Sequence, residues 1–567
     1  MEKDNFKKAT LFSNVKRLLE NSVKRYGDDL AFIIKDGGAK STNYIRKSYK
    51  DFLYDINCFG TALFAMGFKD KRIAVTGRNS YVWAVSYFAT MIGGGVVVPI
   101  DKELGTGELE DSLIRSEASL IVYDSKYEDK INEIKSNGKT SLTKYVSSDG
   151  DGLTFWDMIE KGRALVESGD TLFTSVDADP DKMSILLFTS GTTDKAKAVM
   201  LCQRGIVTNV YDMQLVEDIR HGDTNIAFLP FHHIFGSIAM LVMLACGVTT
   251  VFPDGLRYIK KNLAEYKVSV FVGVPVLIEG MRATIEKEVK KQGKEKLVKT
   301  MRSLTRGLRK VKIDLRRTVF GSILSALGGG MRLIISGAAP LDPDTSRFFD
   351  DIGIDIVQGY GLTETSPVIS AENEKFRRKG SVGIPMKSID VRIDNKDADG
   401  IGEIKVKGPT VMMGYYKNEE ATKAVLSDDG WFNTGDLGCL DDDGFLFITG
   451  RKKDMIVLKN GKKIFPEEVE TLVNRIDGVS ESFVYGYAED GGISYDKILC
   501  KAVYDTSAFD GKSEEEIYES IWQSIKEINT TLPMYKYIKG LVITTEPLVK
   551  TTTNKIKRNE EIKTVMK

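Results

Sequence analysis

Short runs of apolar, β-branched residues alternate with stretches of helical periodicity through roughly the first two thirds of the chain. Each run has the length of one buried strand, and together they occupy residues 72–75, 96–100, 120–123, 185–188, 268–274, 332–335 and 354–358. Continuous apolar strands separated by helices are typical of parallel sheets that are covered on both faces. The pattern therefore predicts an α/β fold with mainly parallel sheets.

The pattern changes twice in the last third of the chain. After Gly383, short alternating strands with Gly and Asp turns indicate a small antiparallel barrel or sheet. After Gly450, strands are followed by a long helical stretch, as in a compact α+β unit. We therefore predict a large N-terminal domain, residues 1–450, made of α/β subdomains plus a small β-barrel, and a small α+β C-terminal domain, residues 451–567.

The composition excludes several classes of protein. The 567 residues contain 80 Lys+Arg and 80 Asp+Glu, so the chain has no net charge and no nucleic-acid partner is expected. The 5 cysteines lie far apart without a CxxC pair, which favours neither a disulfide framework nor a zinc site and fits a reducing compartment. No apolar run follows the charged start, so we expect a cytoplasmic protein.

Two uncharged runs, residues 81–100 and 226–253 with neutral histidines, are long enough to cross a bilayer at about 20 residues. Both contain glycine and proline, and the first resumes after three glycines as Val-Val-Val-Pro-Ile. Such interruptions argue against lipid-facing helices. We predict that both runs are buried core elements.

One segment, residues 282–317, departs from the charge balance with 14 Lys/Arg against 4 Asp/Glu. Its apolar residues follow steps of three and four, as in one stripe of a helix, and they are Leu297, Met301, Leu304, Leu308, Val311 and Leu315. One interpretation is a surface helix that packs this stripe on the protein body and exposes a basic face. The other is peripheral contact with an anionic membrane, such as the inner membrane surface.

Residues 185–198 combine a buried strand with a loop rich in Ser, Thr, Gly and Lys. Backbone N–H groups and hydroxyls in such a loop can surround phosphate oxygens while lysine neutralises their charge. The loop is not a Walker sequence, because Ala196 and Ala198 stand where the second glycine and the hydroxyl residue belong. By itself the loop also fits an ordinary turn.

Three further motifs favour a nucleotide site. Residues 358–365, Gln-Gly-Tyr-Gly-Leu-Thr-Glu-Thr, offer an aromatic face for a purine and a carboxylate for Mg²⁺. Residues 430–436 end in a carboxylate suited to a ribose diol, and residues 450–454 add a basic cluster.

These segments, in this order and spacing, resemble the adenylate-forming superfamily of acyl-CoA synthetases, peptide-synthetase adenylation domains and luciferases. The resemblance extends along essentially the whole chain, through residues 231–236, 336–341, 402–409 and 551–558. Within this superfamily the chain is most similar to long-chain fatty acyl-CoA synthetases, because of the basic segment 282–317 and of residues 454–461. The implied reaction has two steps: a fatty carboxylate attacks the α-phosphate of ATP, and the thiol of coenzyme A then displaces AMP.

The resemblance also implies roles for individual residues. His233 corresponds to a histidine near the acyl carboxylate, Thr363 and Glu364 serve phosphate and Mg²⁺, and Asp436 holds the ribose beside Arg451. The residues expected around the phosphates are Thr189, Ser190, Gly191, Thr192, Thr193 and Lys197, and those around adenine are Gly337, Ala338 and Tyr360.

The C-terminal domain is expected to be mobile. Lys555 corresponds to the family lysine that bridges the carboxylate and the α-phosphate, where one ammonium offsets charge on both reactants. It reaches the site only when the small domain closes, and Lys453 stands at the hinge on which the family rotates that domain. Gly461 would line the pantetheine path. The expected partners are therefore fatty acid, ATP and coenzyme A, and the sequence leaves open whether the chain also forms a homodimer.

The phosphate loop departs from the family pattern, since Asp194 stands where glycine is usual, and Ala196 and Ala198 replace proline and glycine. Asn554 replaces the usual glycine before Lys555. Two alternatives therefore stay open. The chain could load a carrier-protein thiol instead of coenzyme A, or it could be a non-catalytic homologue that binds acyl groups or nucleotides.

Overall fold

The computed structural model describes residues 7–189, 196–489, 495–550 and 556–565. The helices are α1 (Val15–Tyr26), α2 (Tyr49–Ala65), α3 (Tyr81–Ile92), α4 (Thr106–Ser116), α5 (Glu128–Asn137), α6 (Phe155–Glu167), α7 (Gln203–Val216), α8 (Ile234–Cys246), α9 (Ile259–Glu265), α10 (Pro275–Lys291), α11 (Glu295–Lys310), α12 (Arg316–Val319), α13 (Gly321–Ala326), α14 (Pro343–Ile352), α15 (Glu419–Lys423), α16 (Pro466–Val473), α17 (Glu514–Thr531) and α18 (Arg558–Val565).

The strands are β1 (Leu30–Asp36), β2 (Asn43–Ser48), β3 (Arg72–Thr76), β4 (Val96–Ile100), β5 (Leu120–Tyr123), β6 (Lys144–Ser147), β7 (Met183–Thr189), β8 (Lys197–Cys202), β9 (Thr224–Ile226), β10 (Thr249–Val251), β11 (Val270–Gly273), β12 (Leu333–Ser336), β13 (Asp355–Gly361), β14 (Val368–Ala371), β15 (Ile384–Pro385), β16 (Asp390–Asp394), β17 (Gly402–Lys407), β18 (Gly414–Tyr415), β19 (Phe432–Leu440), β20 (Leu446–Arg451), β21 (Ile456–Val457), β22 (Lys463–Ile464), β23 (Val479–Tyr487), β24 (Lys497–Tyr504) and β25 (Ile538–Thr544).

Two large sheets form the N-terminal part, and their mainly parallel cores confirm the predicted α/β fold. A 7-stranded sheet has the order β18-β8-β7-β4-β3-β5-β6, and its strands from β7 to β6 run parallel. A 9-stranded sheet has the order β15-β14-β13-β12-β11-β9-β10-β1-β2, with parallel pairing from β13 to β1. Antiparallel strands at the edges of both sheets bring in distant segments such as β18.

The two long uncharged runs are core elements, as predicted. The first becomes α3 and β4, whose side chains are almost all buried. The second contains β9, α8 and β10, and α8 is capped at its C-terminal end by Gly247, which has a left-handed φ of 76°. No helix in the described part of the chain has both the length and the apolar character needed to span a membrane.

The segment after Gly383 forms an antiparallel sheet of 4 strands in the order β16-β17-β19-β20. The prediction of a small β-barrel needs one correction, because a barrel requires every strand to pair on both sides. Among the described residues β16 pairs with β17 alone and does not pair with β20, so the four strands do not close into a barrel, although the backbone of Leu446 in β20 also bonds to Val382 and Gly383.

The C-terminal part has its own core, built on the 3-stranded sheet β23-β24-β25 and the helices α16 and α17. Ion pairs connect it to the N-terminal part. Nη2 of Arg475 lies 2.6 Å from Oδ1 of Asp342, and Nζ of Lys452 lies 2.9 Å from Oε2 of Glu403.

The basic segment follows its simpler interpretation only in part. Met301 of the predicted stripe packs with Val298 against the buried core, whereas Leu297 of α11 is 53% exposed and Leu304 is 54% exposed, so part of the stripe faces solvent. The arginines turn inward, where Arg302 and Arg306 both contact the buried Asp351 of α14. The helix also ends at Lys310, so Val311 and Leu315 extend the exposed apolar surface from the loop that follows.

Candidate active site

A large cleft of about 2960 Å³ is lined by residues of both the N-terminal part and the C-terminal part. It brings together every described candidate residue except Gly461. Those that line it are Thr189, Lys197, His233, Gly337, Ala338, Tyr360, Thr363, Glu364, Asp436, Arg451 and Lys453. Residues as far apart in sequence as Thr189 and Lys453 therefore share one space.

Thr189 and Lys197, the two described phosphate-loop candidates, stand where β7 ends and β8 begins. Thr189 ends β7 and pairs with Lys197, the first residue of β8. The hydroxyl of Thr189 donates to the carbonyl oxygen of Lys197 at 3.3 Å, which joins the two ends of the loop. Ser190, Gly191, Thr192 and Thr193, like Asp194, lie outside the described residues, so their predicted roles stay predictions.

Lys197 and Glu364 meet at a residue that the sequence did not single out, Tyr415. The Tyr415 hydroxyl donates to Oε1 of Glu364 at 2.9 Å, and Nζ of Lys197 lies 4.7 Å from the centre of the Tyr415 ring. Burial, followed by the charge of Glu364, raises the pKa of Tyr415, so this tyrosine stays a hydrogen-bond donor. Tyr415 thus holds the carboxylate of Glu364 through its hydroxyl and contacts Lys197 through its ring.

The other oxygen of the Glu364 carboxylate and the hydroxyl of Thr363 are the hard oxygen donors that Mg²⁺ prefers. Both residues belong to the short turn Thr363–Thr365 that follows β13 and lines the cleft. One carboxylate with an adjacent hydroxyl suits a metal that takes most of its ligands from phosphates and water. The residues present therefore fit a Mg²⁺ ion that arrives with a nucleotide.

Asp436 is the centre of a second polar group. Its strand β19 pairs with β20 so that Asp436 and Arg451 lie directly opposite, with Nε of Arg451 2.7 Å from Oδ1. The Tyr360 hydroxyl donates to Oδ2 at 2.6 Å. Burial and then the charge of Asp436 raise the pKa of Tyr360 well above its usual value. Because only 3% of Asp436 is exposed, these two contacts hold its carboxylate in one orientation.

Gly337 and Ala338 follow β12, and Gly337 lies against Phe235 of α8. A Cβ at Gly337 would lie 2.9 Å from Cε1 of Phe235, so only glycine allows the ring to pack here. Ala338 has a left-handed φ of 71°, which is unfavourable for alanine and is held by the surrounding fold. These contacts form a wall of the cleft with Tyr360 nearby in the neighbouring strand β13.

His233 immediately precedes α8 and lines the cleft. A Cβ at Gly236 would lie 2.3 Å from the carbonyl oxygen of Pro230, so glycine is required for the close turn that positions His233. The ring of His232 lies 4.3 Å from that of His233, and its Nε2 lies 3.3 Å from Oδ1 of Asp101. His232 is buried, as expected for a core histidine, and Asp101 is a neighbour that the sequence analysis did not identify.

The C-terminal part contributes an edge of the cleft on either side of residues 551–555. Lys550 and Ile556 form an antiparallel β-bridge, and both line the cleft. Lys550 also pairs with Glu481, and Nη2 of Arg558 lies 2.6 Å from Oε2 of the buried Glu470. Lys555 itself lies outside the described residues.

The two remaining candidates lie near the junction of the two parts. Lys453 has an exposed side chain and lines the cleft, two residues after the end of β20. Gly461 lies in the turn between β21 and β22 with a left-handed φ of 76°, and it does not line the cleft in this arrangement.

Comparison with protein families defines the class to which this fold and site belong. The AMP-binding enzyme family matches residues 19–416, and the AMP-binding enzyme C-terminal domain matches residues 453–565. The chain therefore belongs to the AMP-binding enzyme family, and the resemblance seen in its motifs is confirmed.

The chain is similar in sequence to individual ligases and similar in fold to a solved structure. Long-chain-fatty-acid–CoA ligase FadD15 of Mycobacterium bovis is 30% identical over 433 residues, which are 74% of this chain and 71% of the relative. The chloroplastic long-chain-fatty-acid–[acyl-carrier-protein] ligase AEE15 of Arabidopsis thaliana is 28% identical over 543 residues, 82% of this chain and 74% of that protein. The crystal structure of ATP-bound MatB from Rhodopseudomonas palustris has a TM-score of 0.74 at 24% identity. The match covers 97% of this chain and 99% of MatB, so the two proteins share the fold.

Proposed function

We propose that this protein is a long-chain fatty acyl-CoA synthetase, which converts a fatty acid to its acyl-adenylate with release of pyrophosphate and then to the coenzyme A thioester. The observation that carries the proposal is the shared cleft, in which the candidate nucleotide residues face the two residues that flank 551–555. The relatives named as fatty-acid ligases support the choice of a fatty acid.

In the first step the chain must bind ATP and bring a carboxylate to its α-phosphate. We assign the phosphates to the β7–β8 hairpin with Lys197, and the ribose to Asp436, whose orientation Tyr360 and Arg451 hold. A bound Mg²⁺ would neutralise phosphate charge, with Glu364 as its protein ligand. His233 lies at the start of α8, where it would orient the fatty carboxylate.

Lys555 is assigned the bridging role between the carboxylate and the α-phosphate. The support is that the β-bridge between Lys550 and Ile556 closes the base of this segment at the cleft edge. An ammonium placed there would offset the negative charge that both reactants carry as they meet.

The second step requires a different arrangement of the two parts, because a thiol must reach the adenylate. We propose that residues 451–567 move as one domain about Lys453, and that this movement brings Gly461 to the thiol path. The ion pair between Arg475 and Asp342 belongs to the present arrangement and would have to open.

The acceptor distinguishes this proposal from its closest alternative, a ligase that loads an acyl carrier protein, as the name of one relative describes. Purified protein would be given ATP, a fatty acid and either coenzyme A or reduced acyl carrier protein, and thioester and AMP would be measured. We expect acyl-CoA and AMP in equal amounts. If thioester forms only on the carrier protein, then the acceptor is the carrier protein and not coenzyme A. Release of ADP instead of AMP would contradict the mechanism.

We further propose that the segment 282–317 makes peripheral contact with an anionic membrane. Its exposed apolar residues include Leu304 and Val311, and Lys294, Lys296, Lys299, Lys310 and Lys312 are exposed around them. Leucines that enter the acyl boundary together with lysines near anionic headgroups form a typical interfacial surface. Arg309 of α11 and the 58% exposed Val276 line the cleft, so this surface adjoins its mouth.

The double substitution of Leu304 and Val311 by aspartate is expected to weaken binding to vesicles of acidic phospholipid by about 10-fold or more, because apolar burial is lost and charge repulsion is added. Vesicle flotation measures the bound fraction. The control Leu172→Asp changes a leucine that is 69% exposed outside the segment, and it should bind as the unaltered protein does. Failure of the unaltered protein to float with acidic vesicles of any composition would refute the contact.

A further inference from the structure

The cleft contains a buried carboxyl group that the proposed reaction does not use. Glu217 directly follows α7 and lines the cleft, although only 2% of its surface is exposed. Its backbone is firmly held, since its N–H donates to the carbonyl of Met213 at 2.9 Å and its carbonyl accepts from Nζ of Lys7 at 2.8 Å. The side-chain Oε2, in contrast, is buried without a hydrogen-bond partner among the described residues.

Apolar side chains connect the neighbourhood of Glu217 with that of His233. Phe235, two residues after His233, and Ile219, two residues after Glu217, pack against the same buried cluster around Leu229. Phe235 and Leu229 line the cleft, as do Val368 and Ala371 from β14 and Met213 from α7. A hydrocarbon chain whose carboxylate lies at His233 would therefore find an apolar path that ends at a polar group.

The surroundings of Glu217 keep its carboxyl protonated. Burial is the main cause that raises the pKa of Glu217 to about 8; the charges of Glu374 and Glu372 add to it, and those of Lys7 and Arg377 oppose it. Glu372 lines the cleft as well, but its carboxylate accepts hydrogen bonds from the backbone N–H groups of Gln358 and Arg378. At neutral pH Glu217 is thus mainly a neutral acid that can both donate and accept a hydrogen bond.

We propose that Glu217 selects an acyl chain with a hydrogen-bonding oxygen in its distal part, in the simplest case a hydroxy fatty acid. The proposal rests on the function above, because it assumes that the acyl chain enters this cleft from His233. A plain hydrocarbon would leave an enclosed polar group without a partner, whereas a hydroxyl would satisfy it. Sites with such a group discriminate strongly against ligands that cannot pair with it.

The test is equilibrium binding of radiolabelled fatty acids to the full chain in the absence of ATP. Acids of one length are compared in pairs, plain and hydroxylated at successive positions toward the methyl end. We expect the dissociation constant of the best hydroxylated acid to be lower than that of its plain partner by about 10-fold or more. Glu217→Leu should abolish this preference, and Glu217→Gln should retain most of it because an amide still donates and accepts.

The control Glu374→Gln alters an acid that also lines the cleft and pairs with Lys7 at 3.8 Å, and it should leave the preference unchanged. Thermal unfolding of each variant checks that it is folded. Equal binding of plain and hydroxylated acids at every position, a preference that persists in Glu217→Leu, or no binding of either acid would overturn the inference. The binding test contains no ATP, so it is independent of the proposed reaction. If the protein prefers hydroxylated acids but does not adenylate them, only the proposed reaction is refuted. If it adenylates fatty acids but binds plain and hydroxylated acids equally, only the role of Glu217 is refuted.

Discussion

Replacing Lys555 with alanine is expected to lower the rate of acyl-adenylate formation by about 10²–10³-fold, the usual cost of removing one group that stabilises charge in a transition state. The fatty carboxylate and the triphosphate are both negative, so their approach depends on a cation between them. Lys550 and Ile556 place the ends of the segment that carries Lys555 at the cleft edge. The rate would be measured in single turnovers from ATP and fatty acid.

Two controls make this result specific. Lys557→Ala removes a nearby lysine whose Nζ lies 3.1 Å from Oε1 of Glu560, and this change should leave the rate within about 2-fold of normal because surface ion pairs contribute little. Transfer of acyl groups from supplied acyl-adenylate to coenzyme A should also persist in Lys555→Ala, since the lysine acts in the first step only. Equal loss in both half-reactions would instead indicate general damage to the fold.

Replacing Asp436 with alanine is expected to weaken ATP binding by about 100-fold and to destabilise the protein by roughly 3–5 kcal/mol. The carboxylate is buried, and its removal leaves Arg451 without the partner that lies 2.7 Å away and Tyr360 without its acceptor. Nucleotide affinity by calorimetry and the free energy of unfolding in denaturant measure the two effects.

Tyr360→Phe is the matched control, because it removes a single hydrogen bond to the same carboxylate and keeps the ion pair with Arg451. It should cost only about 1.5–3 kcal/mol, and ATP affinity should fall less than in Asp436→Ala. If Asp436→Ala keeps normal ATP affinity while it loses stability, then Asp436 only supports the fold, and the ribose assignment is wrong.

The fold could be predicted largely from the sequence because its strands are local signals. Runs such as the Val-Val-Val of β4 are buried on both faces in a parallel sheet and therefore contain almost no polar residues. The open sheet after Gly383 shows the limit of this reasoning. Alternation reveals strands, but whether the first and last of them meet depends on pairing between distant residues.

The candidate site could be predicted where side chains lie at or just after the end of a strand, as Tyr360 lies near the end of β13 and Glu364 follows it. Tyr415 was missed because β18 reaches the site only by pairing with β8, more than two hundred residues earlier, so that Tyr415 lies opposite Val199. Sequence periodicity contains no information about such a contact. The two consecutive tyrosines at 415 and 416 were the only local signal, and surface tyrosines are common.

The orientation of α11 and the burial of Glu217 were also beyond the sequence. Periodicity identified an apolar stripe on α11, but it gave no sign that arginines of the same helix pair with Asp350 and Asp351 of α14 while Leu297 and Leu304 are left exposed. Glu217 stands among charged neighbours in the sequence, where exposure is the usual expectation. Only the packing of α7 beneath the cleft removes it from water.

The most direct test of the central claim, that this cleft activates a fatty acid by adenylation, is the exchange of labelled pyrophosphate into ATP. The reaction needs the purified protein, Mg²⁺ and a panel of acids that includes plain and hydroxylated fatty acids of several lengths and aryl acids. We predict exchange that depends strictly on a fatty acid and falls to background in Lys555→Ala. Absence of exchange with every acid, or exchange that proceeds equally without any acid, would contradict the account.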